Sequence, residues 1–409
     1  MTHIAFLVPP LSGHISPTLG VVAELTARGH QVSYAVTDEY AVRVRQVGAR
    51  CVGYPTTLRR AGHAPAGAQS FSEHFTADDF IRAQRGQLRE VATVLPVLAD
   101  AFGEDAPDVV VCDPMWWVGR VLAAQWGVPA VKSVTTLVGN SHWSVGHAYS
   151  RFDPTHPALP GLFASIAAFL AGTGTGLTAD RLLATEDGIP VIAYHPRAFQ
   201  VEADRFGDHV HFVGPCLSEG ALAPDDGRGW RAPDDRPVAL VSLGTIFNSR
   251  PDLFGICITA LADLGRPVVL SLGGGDPSCL GTLPPNVQAH SYLPLLDVLP
   301  HAGVLVSHGS LRSAVEALSH GVRIVAIPQM PEQRANADQI VRLGLGLRID
   351  RADLSADAVR RAVGEVSADD EVGARIGKMR EEILRAGGAP LAADVIEAAA
   401  SASPGSAEI

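Results

Sequence analysis

Short apolar runs recur along the chain, each followed by a polar or glycine-bearing turn and then a segment with helical periodicity. Gly303-Val304-Leu305-Val306 is one such run and reads as a buried strand. The turn Ser307-His308-Gly309-Ser310 follows, then a segment in which Ala314 and Leu318 share one helical face. Gly321 stops that helix, and Arg323-Ile324-Val325-Ala326-Ile327 reads as the next strand, closed by Pro328. Strand, turn, helix, strand is a βαβ unit, and its turn lies at the carboxyl end of the first strand. Ligands bind at that edge of open parallel sheets. A helix N-terminus there presents free N–H groups and the positive end of a dipole, so an anion is the expected guest. Glu316, two turns into the helix, can accept hydrogen bonds from a sugar's hydroxyls.

The same alternation begins at the N-terminus. His3 to Val8 reads as a strand, and Pro9-Pro10-Leu11-Ser12-Gly13-His14 as the loop after it. Ser16 is placed to cap a helix with Pro17 at its first position and Gly29 at its end. His30 to Val36 is a second strand, Tyr34 and Val36 alternating against Ser33 and Ala35. The first turn lacks G-x-G-x-x-G, which argues against NAD or FAD, because a backbone cradle for pyrophosphate needs those glycines. It presents His14 instead. Thr37-Asp38-Glu39-Tyr40 opens a short helix, Arg50 to Tyr54 is a third strand, and residues 59–76 read as a mobile loop. An amphipathic helix from about Asp78 to Ala101 precedes the strand Asp108 to Cys112, which ends at Asp113. Val128 to Val134 is a further strand. Thr135 to Ile189 reads as irregular and carries Trp143, Tyr149, Phe152, Phe163 and Phe169, which either pack an inserted helical subdomain or line an apolar cleft.

Ile192 to Phe199 and His211 to Pro215 close a first domain, expected at residues 1–216. The polar, Gly/Pro/Asp-rich stretch 217–236 reads as a linker. A second domain, 237–385, opens with the strand Val238 to Ser242 and the turn Leu243-Gly244-Thr245. Strands at Pro267 to Leu272 and Val287 to His290 lead to the βαβ unit. Helical segments follow Ser355, and Ser401 to Ile409 reads as a frayed tail. The chain is thus α/β, two successive domains without an alignable repeat.

Composition narrows the partners. The 409 residues suffice for two domains with full cores, and 47% hydrophobic against 18% charged excludes a disordered chain. Lys plus Arg is 32 against 43 Asp plus Glu, a net charge of −11, so no basic face for nucleic acid is expected. Acidity does not exclude a nucleotide sugar, which backbone N–H groups and a few side chains can hold. Cys51, Cys112, Cys216, Cys257 and Cys279 are scattered and read as reduced core thiols. The first residues read as a strand and not a signal peptide, and no run of 18 apolar residues offers a membrane span. A soluble, cytoplasmic protein is expected.

The pattern His308-Gly309-x-x-x-Ser313-x-x-Glu316, followed by Pro328-Gln329-Met330-Pro331-Glu332-Gln333, resembles the donor-binding signature of the UDP-glycosyltransferases. It is most similar to the bacterial macrolide-glycosyltransferase-like branch, which also contains flavonoid glucosyltransferases. The resemblance implies the GT-B architecture, two Rossmann-like domains facing each other across a cleft. The N-terminal domain would bind the acceptor and the C-terminal domain the nucleotide sugar. A final helix within 386–409 would cross back to the N-terminal domain. The resemblance further implies that His308 and Ser313 contact the diphosphate, joined by Thr245 and by the turn residues Gly309 and Ser310. Glu316 would bind the ribose hydroxyls, and Glu332 and Gln333 the sugar. Tyr292-Leu293-Pro294 sits at the family's Trp-x-Pro-Gln motif, so Tyr292 is expected to stack on the base, with Leu295 in place of the Gln.

Glycosyl transfer needs a nucleophile deprotonated as it attacks and a stabilised diphosphate leaving group. A histidine oriented by a carboxylate meets the first need. Gly13-His14-Ile15-Ser16-Pro17 matches the family's Gly-His-x-x-Pro and Asp113 its Asp, and in a parallel sheet both loops reach the same edge. No Asp-x-Asp metal signal accompanies the donor motif, so metal-independent catalysis is expected, with helix amides holding phosphate. Two residues depart from the pattern. Ser310 stands at a usual Gly, harmless with negative φ and strained otherwise. Arg312 stands where Asn is common, and would either grip the phosphate bidentately or crowd the pocket. The expected activity is an inverting hexosyltransferase that needs no cofactor. It would move glucose from UDP-glucose to a hydroxyl of a hydrophobic small molecule such as a macrolide or polyphenol. The alternatives are a dTDP-deoxysugar donor and a non-catalytic glycosyltransferase partner. Nucleotide-sugar 2-epimerases share the architecture, and the His14–Asp113 pair argues against them. A monomer or homodimer is expected.

Overall fold

The computed structural model describes residues 1–58, 74–103, 105–184, 186–217, 230–244 and 251–402. Most of the expected loop at 59–76, most of the linker at 217–236, Thr245 and the end of the tail lie outside the described residues. The chain forms two compact units: the described residues within Met1–Arg59, Phe75–Leu222 and Ala386–Ile409, and those within Arg60–His74 and Ala223–Arg385.

The first unit opens with β1 (His3–Leu7), α1 (Ser12–Ala27), β2 (Gln31–Val36), α2 (Asp38–Gln46) and β3 (Arg50–Gly53). α3 (Ala77–Phe102), β4 (Val109–Cys112), α4 (Trp117–Trp126) and β5 (Ala130–Val134) follow. Then come α5 (Val145–Tyr149), α6 (Leu159–Gly172), α7 (Ala179–Leu183), β6 (Val191–Ala193) and β7 (Val210–Phe212). All seven strands pair in parallel in the order β3-β2-β1-β4-β5-β6-β7. The alternation of β1 shows what the sheet buries. Ile4 and Phe6 enter one core with Leu19, Val22 and Leu25 of α1, while Ala5 and Leu7 enter the other with Val118, Val121 and Leu122 of α4. Both faces are covered, so apolar residues recur without polar alternation.

The second unit contains β8 (Val238–Ser242), α8 (Pro251–Leu261), β9 (Val268–Ser271), β10 (Val287–His290) and α9 (Leu295–Val298). β11 (Ala302–Ser307), α10 (Leu311–Ser319), β12 (Arg323–Ala326), α11 (Pro331–Arg342) and β13 (Gly346–Arg348) come next. α12 (Ala356–Ala368) and α13 (Asp370–Arg385) complete it. Its six strands are also parallel, ordered β10-β9-β8-β11-β12-β13. α14 (Gly388–Ser401) belongs to the first unit, where Ala392, Ala393, Val395, Ile396 and Ala399 join the core with α1. Arg28 donates to Asp394 at 2.6 Å and His30 Nε2 lies 2.8 Å from Glu397, fastening that helix at its rim.

Three local expectations change. α1 is not capped by Ser16 with Pro17 as its first residue. It starts at Ser12 with Leu11 as its N-cap, because the N–H groups of His14 and Ile15 close on the Leu11 carbonyl at 2.9 and 3.0 Å. Pro17 removes only a bond in the second turn, so the helix runs through it. The stretch from Thr135 to Ile189 is irregular only between three helices, α5, α6 and α7. Leu159, Leu162, Ile166 and Leu170 fall on one face of α6 and pack into the core shared with α3 and α4. Among the thiols, which are all free, Cys112, Cys216 and Cys257 are buried but Cys279 is exposed.

Candidate active site

β1 and β4 are adjacent and parallel, so the residues after them emerge side by side. The Asp113 N–H closes on the Leu7 carbonyl at 3.3 Å, continuing the ladder past the end of β4. Its Oδ1 accepts from the Met115 N–H at 2.8 Å, which fixes the carboxylate plane. Oδ2 then lies 2.6 Å from Nδ1 of His14, in the first turn of α1. Asp113 is 2% exposed and His14 13%. A carboxylate so enclosed accepts from Nδ1–H, leaving Nε2 as the proton acceptor, and stabilises the imidazolium when Nε2 takes a proton. Thr135, just past β5, sets its hydroxyl 3.2 Å from the same Nδ1. Sequence reading missed this contact, for which no local motif exists. His14 is therefore a helix residue and not a loop residue.

The second constellation surrounds the start of α10. Gly309 has φ of +81°, a left-handed conformation that glycine adopts freely, and an added Cβ would sit 3.2 Å from the Gln333 carbonyl oxygen. Ser310 has φ of −64° and is the N-cap, its Oγ accepting from the Ser313 N–H at 3.3 Å and donating to Ser313 Oγ at 2.9 Å. The serine at the usual glycine position is thus unstrained. His308 is buried against Gly244, whose added Cβ would fall 2.8 Å from the ring. Burial pushes the His308 pKa down to about 4, partly offset by a hydrogen bond to the Ser242 backbone. Its Nδ1 has no hydrogen-bond partner among the described residues. The first N–H groups of α10 have no acceptor within the helix, which suits this turn to an anion.

The remaining expected residues are distributed around that turn. Glu316 is 4% exposed. Arg312 does not stand free at the helix end: its Nε–H donates to Glu316 Oε1 at 2.7 Å, because residues four apart share a helix face. Glu332 lies in the first turn of α11 and accepts from Asn336 Nδ2 at 2.6 Å. The same amide donates to the Gly309 carbonyl at 3.0 Å, a brace sequence reading missed although Asn336 lies one turn from Glu332. Gln333 turns inward, its Oε1 accepting from the Gln329 N–H at 2.8 Å. Tyr292, between β10 and α9, is 42% exposed. Thr245 lies outside the described residues. Among the described residues no group of three or more His, Cys, Asp or Glu side chains is arranged to hold a metal ion. No helix among them is long and apolar enough to cross a membrane.

The whole chain is similar to a solved structure, that of CalG4, the calicheamicin glycosyltransferase, with a TM-score of 0.81, 33% identity and 98% of each chain covered. Two parallel α/β units with that likeness define a glycosyltransferase of the GT-B fold. Residues 256–399 match the family model of the erythromycin biosynthesis protein CIII-like C-terminal domain. Demethyllactenocin mycarosyltransferase of Streptomyces fradiae is 41% identical over 97% of this chain and 86% of its own. NDP-glycosyltransferase YjiC of Bacillus subtilis (strain 168) is 32% identical over 97% of each. The chain belongs to the UDP-glycosyltransferase family, in its bacterial macrolide-glycosyltransferase-like branch.

Proposed function

We propose that the protein moves a sugar from a nucleoside-diphosphate sugar to a hydroxyl of a hydrophobic natural product, with inversion at the anomeric carbon. The carrying observation is the 2.6 Å contact between His14 Nδ1 and buried Asp113. His14 Nε2 takes the acceptor's hydroxyl proton as its oxygen bonds to the anomeric carbon. The bond to the diphosphate breaks with its electron pair on the leaving phosphate oxygen. The N–H groups opening α10, with His308, Ser313 and Thr245, receive that charge without a metal. Glu316 accepts from the ribose, Tyr292 stacks on the base, and Glu332 and Gln333 hold the sugar. Support for a natural-product acceptor comes from the relatives, one named for demethyllactenocin and one for calicheamicin. The Glu332–Gln333 pair, two side chains suited to a fully hydroxylated hexose, favours glucose as the sugar. A second reading, a dTDP-deoxysugar donor, is favoured by the 41% identical mycarosyltransferase.

The test offers UDP-glucose and dTDP-sugars with macrolide and flavonoid acceptors, reading nucleoside diphosphate release and product mass. Acceptor-dependent release with a new glycoside is expected. An isomerised free sugar, or no turnover with any pair, would overturn the reading, and the productive donor decides between glucose and deoxysugar.

A further inference from the structure

The pairing of Arg312 with Glu316 bears on which nucleotide the protein accepts. The two side chains lie one turn apart on α10, 24% and 5% exposed, joined by the 2.7 Å bond from Nε to Oε1. Glu316 is the sole carboxylate of that helix, and among the described residues no hydrogen bond reaches its Oε2. A nucleoside whose diphosphate rests on the N-terminus of α10 brings its sugar to the helix face that Glu316 occupies. Ribose offers two neighbouring hydroxyl donors, and a free carboxylate can meet one with each oxygen. Here one oxygen already holds a guanidinium. A 2′-hydroxyl that displaced it would exchange one charge-assisted hydrogen bond for another and leave the half-buried Arg312 guanidinium without its carboxylate, for no net gain.

We propose that Arg312 is a specificity-determining residue: by occupying Glu316 Oε1 it makes the nucleoside subsite indifferent to the 2′-hydroxyl, so that 2′-deoxyribonucleoside diphosphate sugars are accepted alongside ribonucleoside ones. The proposal rests on the reading of α10 as the donor site. It assigns the 3′-hydroxyl, which both nucleotide classes carry, to Oε2.

The experiment compares UDP with 2′-deoxyuridine diphosphate, which differ only in the hydroxyl at issue, by calorimetry on the wild type, Arg312→Asn and Arg312→Ala. The wild type is expected to bind the two within about threefold of each other. Both variants free Oε1 and should prefer UDP by about ten- to a hundredfold, the weight of a hydrogen bond to a charged group. Adding Glu316→Gln to Arg312→Asn should remove that preference. A wild type that already prefers UDP by about tenfold would overturn the proposal. So would variants that lose affinity for both nucleotides equally, or a preference that survives Glu316→Gln. Failure of all the proteins to bind either nucleotide would instead sink the donor-site reading beneath it.

Discussion

Replacing His14 with Ala removes the ring held 2.6 Å from Asp113, and with it the proposed proton acceptor. The expected loss is roughly 10²–10⁴ in kcat, the ordinary weight of a general base, with donor KM little changed. Near-wild-type turnover on an alcohol acceptor would remove His14 from the mechanism. Asp113→Asn should also lose activity, since an amide can donate to Nδ1 and so favour the tautomer with the proton on Nε2. Thr135→Val tests the third member of this cluster. A single neutral hydrogen bond at 3.2 Å is worth about 1 kcal/mol, so a kcat loss of no more than about tenfold is expected. His14 and Asp113 were legible because a short motif and a strand end mark them. Thr135 was not, since its hydroxyl meets His14 only through the place of β5 beside β4.

At the scale of the element, α10 depends on how the chain enters it. Ser310→Ala removes the N-cap and should lower unfolding stability by about 1 kcal/mol, whereas the family-like Ser310→Gly should cost only a few tenths. Urea denaturation of the two variants against the wild type checks the order, and no loss in Ser310→Ala would mean that the cap hydroxyl does nothing. Gly309→Ala is expected to be worse than either. It forces a left-handed φ of +81° on alanine and presses a methyl 3.2 Å from the Gln333 carbonyl, a strain of about 1–3 kcal/mol. That shift would also disturb the amides offered to phosphate, so nucleotide Kd should rise with it. Sequence pattern located this turn and the helix after it. Which of its two adjacent residues needed glycine was decided by the backbone, and it is Gly309. The opposite happened at α1, where Pro17 suggested a start five residues too late because the Leu11 carbonyl nucleates the helix ahead of it.

At the scale of the whole molecule, each unit buries a histidine whose pKa is pushed far down. Burial pushes His195 in the first unit and His308 in the second from 6.5 down to about 4, hydrogen bonds to Gln200 and to the Ser242 backbone offsetting only part. The unfolded chain therefore binds more protons between those values. Stability is full above about pH 6.5, falls as pH drops toward 4 and then levels. Each ring accounts for roughly 2 kcal/mol lost at pH 5. Denaturation midpoints at pH 7 and pH 5 should show that loss, and His195→Gln should shrink it. A flat profile would refute it. Truncation after Arg385 would strip Ala392, Ala393, Val395, Ile396 and Ala399 from the first core and expose the face of α1 they cover, so a chain of residues 1–385 is expected to be insoluble or markedly less stable. A soluble truncated chain with an unchanged melting point would contradict this packing. What the sequence determined by itself was whatever depends on neighbours a few residues apart: the buried strands, the helix faces, the turn at His308 and the residue types gathered there. Tertiary structure alone decided which distant groups meet. It set Thr135 on His14 and Asn336 on the Gly309 carbonyl, because strand order and helix docking follow from burying whole faces and no local pattern encodes that sum.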